Sequence, residues 1–404
     1  MTSPARLVAV LCAAEVLGML GNATFPALIP EFRALWGLSN TEAGWISGVY
    51  YAGYVAAVPL LVSLTDRRDA RLIYLLSTAL GGLAALGFAL FAEGLWSAVA
   101  FRLAGGVGLA GTYMVGLKLL ADRIEGPRQS RAVAFYTAHF GIGVALSTLA
   151  AGEVTALAGW RWAFGAAALG SLVALLLVWR TVVPGGRPAQ VPETGHPLDL
   201  RPVFANRAAL AYVLGYAAHV WELFGTRTWI VAFTAFAYGL QPAEGLPPLA
   251  PTQVATVVLL LGLPATILGN EAAVRFGRRR TVAAIMLASA LLSCGLGFLA
   301  GLPAWTVLIL LVIHHMIVMG DSSALTAGAV ANALPGRRGA TMAMHALFGF
   351  GAGVFSPLAF GVVLDVAGGA ERTVAWGLAF ALLALGPLAL GLPVLARLGR
   401  AHET

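Results

Sequence analysis

SLTDRRDARLI, residues 63–73, places five charged side chains within six consecutive positions, from Asp66 to Arg71. The chain around it is strongly apolar: 59% of its 404 residues are hydrophobic, 11% are charged, and the mean hydropathy is +0.84. Because about a quarter of the residues of a soluble globular protein are charged, this composition predicts a membrane protein. The charged stretch is then a loop that has to remain in water between two apolar segments.

Apolar runs of about 20 residues, enough to cross the hydrocarbon layer as a helix, recur along the whole chain. The one long polar interruption, residues 184–206, contains five prolines and no apolar run. We therefore predict an all-α membrane protein with twelve transmembrane helices in two six-helix bundles, residues 1–183 and 207–404, joined by a cytoplasmic linker. The predicted spans lie near residues 6–30, 41–64, 72–92, 95–120, 131–157, 161–183, 207–239, 251–273, 281–300, 304–331, 340–366 and 373–396.

Lysine and arginine are concentrated on one side of this predicted topology. If the N-terminus lies in the cytoplasm, 20 of the 25 basic residues fall in cytoplasmic loops or span ends, and three fall in outer loops. This positive-inside pattern predicts an inner or plasma membrane protein with both termini in the cytoplasm. It also explains the net charge of +7 without a nucleic-acid partner. The expected partners are the lipid bilayer and a small-molecule substrate, and the protein is expected to be a monomer.

The second half of the chain repeats landmarks of the first half at a constant shift of 208 residues. The matched landmarks are Arg67 with Arg275, Arg71 with Arg279, Pro127 with Pro335, and FGIG at 140–143 with FGFG at 348–351. Repeats of this kind are typical of transporters in which two bundles move about a site near the middle of the membrane. The two bundles are therefore predicted to be pseudo-symmetric.

The opening stretch resembles the loop motif of the major facilitator superfamily, which runs approximately G-x-x-x-D-R-x-G-x-R. Asp66, Arg67 and Arg71 match this motif, whereas Val62 and Asp69 stand at its glycine positions. The resemblance covers the whole chain. FRLAGGVGLAG at 101–111 is similar to the family's fourth-helix pattern, and GWRWAF at 159–164 is similar to the usual start of its sixth helix.

The resemblance implies that the charged loop acts as a conformational latch, which pairs with helix ends in one state and releases them in the other. In the second copy of the loop, Val274 stands where the acid would be. The alternative is that these loops only fix the topology. The residues implied as the latch are Asp66, Arg67, Arg71, Arg275 and Arg279.

Polar side chains within the predicted spans mark the candidate site, since a charge at mid-membrane costs on the order of 3 kcal/mol. The resemblance implies that spans 1, 4, 7 and 10 line the transport cavity, and nearly all strongly polar intramembrane residues fall on those four. Arg102 has no counterpart in the other half and is the candidate fixed positive charge; the alternative is a structural arginine that binds backbone carbonyls. The candidate substrate-binding residues are Asn22, Arg102, Tyr113, His219, Arg227, His314 and Asp321.

Two acids within the spans are candidates for proton coupling. Glu15 lies in the first predicted span and Glu222 in the seventh. A carboxyl group in a low-dielectric cavity can take up and release protons near neutral pH. The alternative for Glu15 is a protonated side chain that hydrogen-bonds a neighbouring helix.

These features predict a secondary active transporter for a small polar solute, anionic or zwitterionic, that works by rocker-switch alternating access with protons as the candidate coupling ion. The sequence has no G-x-x-x-x-G-K-[ST] motif, so ATP is not the expected energy source. An enzyme and a cofactor are not expected either, because GDSSA at 320–324 lies in an apolar helix without the turn of a nucleophilic serine.

Three other functions remain open from the sequence. The first is efflux of drugs or sugars, although HFGIGVALSTLAAG at 139–152 lacks the proline of the fifth-helix pattern found in proton-driven drug exporters. The second is a non-transporting receptor that keeps the fold. The third is copper transport, because thioether and imidazole ligands suit copper. The candidate copper ligands are His314, His315, Met316, Met319, Met342 and His345.

Overall fold

The computed structural model describes residues 4–65, 67–124, 127–185, 201–335 and 337–398. These described residues are helical throughout, with short connections and no β-strand. The first eight helices are α1 (Pro4–Gly18), α2 (Thr24–Ala27), α3 (Ile29–Trp36), α4 (Asn40–Leu64), α5 (Ala70–Phe91), α6 (Leu95–Ala121), α7 (Pro127–Ala158) and α8 (Trp160–Thr181).

Within the predicted linker, residues 186–200 lie outside the described part of the chain, and a short helix forms at Arg201–Ala205. A π-helical turn, Gly386–Gly391, joins the last two helices. The remaining helices are α9 (Arg201–Ala205), α10 (Arg207–Gly239), α11 (Pro251–Phe276), α12 (Arg278–Leu296), α13 (Ala304–Gly320), α14 (Ser322–Ala331), α15 (Arg338–Val366), α16 (Thr373–Leu385) and α17 (Leu392–Leu398).

Ten helical stretches in the described residues are long and apolar enough to cross a membrane, so the predicted count of twelve is not confirmed. The predicted first span is not one helix, because the chain turns after α1 and again after α2. The predicted seventh span forms α10, which is not among these ten stretches. The helix has 33 residues, and the polar residues His219, Glu222 and Arg227 lie within it. The ten stretches are 40–64, 70–91, 95–121, 131–158, 160–181, 251–276, 278–299, 304–331, 338–366 and 373–396.

The chain divides into two compact units, and unit 1 comprises Met1–Leu28 and Val49–Pro192. Within it, α5 packs against α6 and α8, while α1 packs against α7 and α8. Small residues allow these helices to approach closely: a Cβ atom on Gly106 of α6 would lie 1.8 Å from the carbonyl oxygen of Tyr50 in α4. Such backbone contacts are typical of helices packed in lipid.

Unit 2 comprises Ile29–Gly48 and Glu193–Thr404. Within it, α10 packs against α15, α11 against α13, and α12 against α16. The start of α4 also belongs to this unit, and the Asp365 carboxylate of α15 accepts hydrogen bonds of 2.6–3.1 Å from Asn40 and Thr41 there. An acceptor at this position satisfies backbone N–H groups that have no partner within the helix.

Candidate functional site

Arg102 of α6 is buried and bonded to backbone in unit 1. Its guanidinium donates from Nη1 to the Gly21 carbonyl at 2.8 Å and from Nη2 to the Asn22 carbonyl at 2.9 Å. It also lies over the Tyr50 ring, 4.1 Å from the centroid. Gly21 and Asn22 lie in the turn between α1 and α2, where carbonyls lose their helical partners. This is the bonding expected of the structural alternative for Arg102.

Of the other predicted site residues of unit 1, Asn22 adjoins Arg102 and Tyr113 does not. The Asn22 side chain is buried, with 2% of its surface exposed. Tyr113 stacks on Tyr136 of α7 with ring centroids 6.0 Å apart, and its ring also meets Phe140 at 4.9 Å. The interactions described for Tyr113 therefore join it to α7 rather than to the turn that Arg102 binds.

Glu15 of α1 is 2% exposed, and neither of its carboxyl oxygens has a hydrogen-bond partner among the described residues. Cys12, Tyr74 and Tyr136 lie close enough to interact with it electrostatically. Burial without an ion pair disfavours a charged carboxylate. The surroundings of Glu15 therefore favour the neutral carboxylic acid.

Unit 2 buries two acid–histidine pairs. One member of each pair lies in α10; its partner is in α13 or directly follows that helix. His219 Nδ1 lies 2.7 Å from Asp321 Oδ1, and His314 Nε2 lies 3.5 Å from Glu222 Oε1. No more than 4% of any of these side chains is exposed. Asp321 occupies the break between α13 and α14. Four predicted site residues are thus brought together in one cluster.

Two serines of α12, which the sequence pattern did not single out, complete this cluster. Ser289 Oγ donates to Glu222 Oε2 at 2.8 Å, and Ser293 Oγ donates to Glu222 Oε1 at 2.6 Å. Ser293 Oγ also lies 2.7 Å from His314 Nε2. The two serines are four positions apart in an apolar helix and so share one face, which is the only signal of their role in the sequence.

A second group of predicted residues surrounds the cluster. Arg227 Nη2 contacts the Met319 sulfur at 3.5 Å. His345 stacks on Tyr216 with centroids 3.8 Å apart, and Tyr216 in turn stacks on His219 at 5.5 Å. These contacts link α15 to the acid–histidine pairs through a column of three rings.

The candidate copper ligands have several different described neighbours in unit 2. Among the described residues there is no group of three or more His, Cys, Asp or Glu side chains that could hold a metal ion. His315 lies against Gly262 of α11, while Met316 and Met342 are partly buried. The described contacts of His345 are to Tyr216 and Thr326 rather than to another histidine.

The second arginine of each repeated pair, near the start of α5 or α12, binds a helix end. Arg71 donates to the Trp179 carbonyl near the end of α8 at 2.5 Å, and Arg279 donates to the Ala396 carbonyl in α17 at 3.0 Å. A cation at a helix C-terminus satisfies free carbonyls and interacts favourably with the helix dipole. Asp66, the predicted latch acid, lies outside the described residues.

The two remaining latch candidates have no comparable bond to a helix end in the described contacts. Arg67 is exposed in its loop, and Arg275 lies 5.3 Å from the centroid of the neighbouring Phe276 ring. Within each repeat, it is therefore the second arginine of the matched pair that reaches a helix end.

A groove of about 1000 Å³ runs between α1 and α7 in unit 1. Its walls are mostly apolar, and basic side chains from α7 line it as well. The lining includes Val8, Cys12, Val16, Phe135, Arg128, Arg131 and His139. A smaller cavity of about 350 Å³ in unit 2 lies between α10 and α15 and is lined by Trp221, Phe348 and Phe355, among others.

A chain whose described residues form long apolar helices, with two related charged loops and buried acid–histidine pairs, has the architecture of a membrane transporter. The family model of the Major Facilitator Superfamily matches residues 11–348, and the chain belongs to this superfamily. Its members are transporters and not enzymes, so the chain is a transporter with membrane-spanning helices.

Solved structures share this fold. A bacterial homolog of the human lysosomal transporter spinster, in an inward-facing and occupied conformation, is 13% identical with a TM-score of 0.78; the match covers 98% of this chain and 97% of that chain. The D-xylose–proton symporter is 16% identical with a TM-score of 0.74, over 95% of this chain and 96% of that chain. At such identities the likeness shows the fold alone.

Curated relatives are similar over part of their length. Protein spinster homolog 1 of Homo sapiens is 25% identical over 244 residues, which are 57% of this chain and 46% of that protein. The niacin transporter NiaP of Acinetobacter baylyi is 21% identical over 289 residues, which are 63% of this chain and 64% of that protein. The chain spans about half the length of the spinster relatives it matches.

Proposed function

We propose that this protein is a proton-coupled secondary transporter for a small organic anion, working as a monomer by alternating access in the inner or plasma membrane. The buried acid–histidine cluster on α10, α12 and α13 carries the proposal. Ionisable residues within membrane helices are costly, and they commonly form ion pathways or proton relays. Histidine changes its charge near physiological pH, so a cluster of this composition can bind and release a proton under mild conditions.

Glu222 is the proposed proton carrier, with His314 and the His219–Asp321 pair as its neighbours. Glu15 is proposed as a second and weaker proton site, because neither of its carboxyl oxygens has a hydrogen-bond partner among the described residues that could deliver the proton. The D-xylose–proton symporter is by name proton-driven, which supports protons as the coupling ion.

The groove of unit 1 supports an organic anion as the substrate. Arg128, Arg131 and His139 offer positive charge or hydrogen-bond donors, while the apolar walls suit a hydrocarbon or aromatic body. The niacin transporter NiaP moves, by its name, a small aromatic acid, which has this combination of features. Asn22 and Tyr113 of unit 1 and Arg227 of unit 2 stay proposed substrate contacts from the sequence pattern, although none of them lines this groove. Arg102 supports the turn that holds Asn22.

The topology and the latch belong to the same proposal. Residues 1–183 and 207–404 form the two six-helix bundles, residues 184–206 form a cytoplasmic linker, and both termini face the cytoplasm. Arg71 and Arg279 hold helix ends in one conformation and release them in the other. Asp66, Arg67 and Arg275 are proposed to assist them.

Uptake into proteoliposomes tests the proposed function. Purified protein is reconstituted, a pH gradient is imposed, and a panel of radiolabelled aromatic and aliphatic carboxylates is supplied outside. We expect at least one carboxylate to accumulate only while the gradient exists. Binding of a carboxylate without flux would indicate a receptor, and flux that ignores the pH gradient would remove proton coupling from the proposal.

The orientation of the pH gradient that drives accumulation distinguishes symport from antiport in the same preparation. Acid outside drives accumulation by a proton symporter, whereas acid inside drives accumulation by a proton antiporter, which is the mode of a proton-driven exporter. Accumulation of neutral sugars or cationic drugs, with no carboxylate transported, would favour the efflux alternative instead.

A further inference from the structure

One hydroxyl of α12 stands between the acid and the histidine of one buried pair. Ser293 Oγ lies 2.6 Å from Glu222 Oε1 and 2.7 Å from His314 Nε2. The exposed fraction of these three side chains lies between 0 and 2%. A hydroxyl has one hydrogen to donate and lone pairs with which to accept, so Ser293 can donate to one neighbour while it accepts from the other.

We propose that Ser293 relays a proton between His314 and Glu222, so that these three residues form one proton-binding site. The inference rests on the proposed proton-coupled function and adds the path by which the carboxyl group is loaded. Without the hydroxyl, a proton would have to cross the 3.5 Å between His314 Nε2 and Glu222 Oε1 directly. That distance exceeds the roughly 2.6–3.2 Å over which groups transfer protons efficiently.

Both protonation states of this site keep the same two hydrogen bonds, with their directions reversed. In the unloaded state, neutral His314 donates from Nε2–H to Ser293, and Ser293 donates to the Glu222 carboxylate. When a proton binds at His314 Nδ1, the Nε2 proton moves to Ser293 Oγ and the Ser293 proton moves to Glu222 Oε1. The loaded state has a neutral carboxylic acid that donates to Ser293, which donates to Nε2. One proton has been taken up, and the heavy atoms keep their places.

One end of this path is buried but carries no hydrogen bond within the described part of the chain. His314 Nδ1 has no hydrogen-bond partner among the described residues, so it can receive the incoming proton. The edge of the Phe380 ring of α16 meets the His314 ring, with centroids 6.3 Å apart, and shields it on that side. The charged and titratable groups that surround the site are His219 and Arg227 of α10, His315 of α13, Asp321 at the helix break and His345 of α15.

Ser289 provides a matched control one helical turn away. Like Ser293, it is a buried serine of α12 that donates to Glu222. The Met286 carbonyl, 3.1 Å from Ser289 Oγ, is an alternative acceptor for the same hydrogen, and Ser289 has no described hydrogen bond to His314. Removing Ser289 therefore takes one hydrogen bond from the acid but leaves the relay in place.

The test compares Ser293→Ala with Ser289→Ala in proteoliposomes, with uptake driven by a pH gradient and substrate exchange measured without one. We expect Ser293→Ala to slow the driven uptake about tenfold or more, since a positioned proton-transfer group has effects of this size or larger. Exchange should change much less, because it requires no net proton transfer. Ser289→Ala should slow driven uptake clearly less than Ser293→Ala does, because it removes a hydrogen bond to Glu222 but leaves the transfer path intact.

Two further measurements separate a relay from a structural role. Ser293→Thr keeps the hydroxyl, so its driven uptake should be close to that of the wild type. Ser293→Val has nearly the shape of threonine but no hydroxyl, so its driven uptake should be as slow as that of Ser293→Ala. Wild-type driven uptake should slow in D₂O, and this isotope effect should differ in Ser293→Ala, where the transfer path has changed. The Thr and Val variants also serve if the alanine variant does not fold.

The outcomes distinguish the relay from the function on which it rests. Wild-type uptake that ignores the pH gradient would overturn both. A wild type that is coupled, together with Ser293→Ala or Ser293→Val variants that remain equally coupled, would overturn the relay alone. Equal losses in the Ser289 and Ser293 alanine variants would also overturn it, since they would indicate general stabilisation of Glu222.

Discussion

The two units of this transporter bury charge in different ways. In unit 1, Arg102 binds two backbone carbonyls, and Glu15 has no hydrogen-bond partner among the described residues. In unit 2, each of two acids contacts a histidine. A charged residue in an apolar helix looks the same in both halves of the sequence. Its surroundings decide whether it stabilises a break in a helix or can exchange a proton.

The largest expected effect comes from Glu222, the acid of the serine-bridged pair. Glu222→Gln removes the proton carrier but keeps hydrogen-bonding capacity towards Ser289 and Ser293. Uptake driven by a pH gradient should fall by about 100-fold, while substrate exchange persists. Radiolabelled uptake and exchange in proteoliposomes measure the two activities separately, and loss of both together would point to misfolding or to a direct substrate contact.

Arg102 should matter next, and for stability rather than coupling. Arg102→Ala leaves the Gly21 and Asn22 carbonyls without their donors in a buried place, which should cost about 2–4 kcal/mol of unfolding free energy. Thermal unfolding in detergent, followed with a thiol-reactive dye or by size exclusion, measures the loss.

Arg161 is a matched control for Arg102 in the same unit. It donates to the Ala89 carbonyl at 2.9 Å and lies over the Trp160 ring at 4.5 Å, but it is exposed. Arg161→Ala should cost less than about 1 kcal/mol, because water replaces its contacts. A stable Arg102→Ala protein that no longer binds substrate would instead restore Arg102 to a direct role in the site.

The loop arginines should have similar, moderate effects in the two units. Arg71→Ala and Arg279→Ala each remove a cation from a helix end, an interaction of about 0.3–1 kcal/mol. The conformational equilibrium, and with it the transport rate, should shift roughly twofold to fivefold, while substrate affinity changes little. The exposed Arg68→Ala is the control in the first loop. If Arg71→Ala has no larger effect than Arg68→Ala, the loop only fixes the topology and does not act as a latch.

Glu15 should give the smallest effect. Because its surroundings favour the neutral acid, Glu15→Gln replaces it with a group of similar shape and the same charge. Driven uptake should fall by no more than about threefold, in keeping with a secondary proton site. A loss as large as that of Glu222→Gln would place the main proton site in unit 1.

Much of the fold could be predicted from the sequence, because long apolar runs and flanking arginines are local signals. The ten membrane-crossing stretches agree with predicted spans. The break after Gly18 was not predicted, since Gly21 and Asn22 lie within a run that is apolar enough to continue as a helix. The break at Asp321 was missed for the same reason, and both breaks depend on partners from other helices.

The candidate site was predictable only in its residue types. His219, Glu222, His314 and Asp321 stood out as polar residues in apolar helices, but their pairing depends on how α10 meets α13. Ser289 and Ser293 did not stand out, because serine is common in apolar helices and hydrogen-bonds there without a functional role. Arg102 was singled out correctly as unusual, yet its described acceptors are backbone carbonyls, which no sequence motif records.

The central claim is that unit 2 carries the coupling proton, and proton movement during transport tests it most directly. A pH-sensitive dye trapped in proteoliposomes reports protons that enter with an added carboxylate substrate. We predict that substrate acidifies the interior with wild type and with Glu15→Gln, and that the signal disappears with Glu222→Gln although substrate exchange persists. Substrate-dependent acidification that continues in Glu222→Gln would contradict the account.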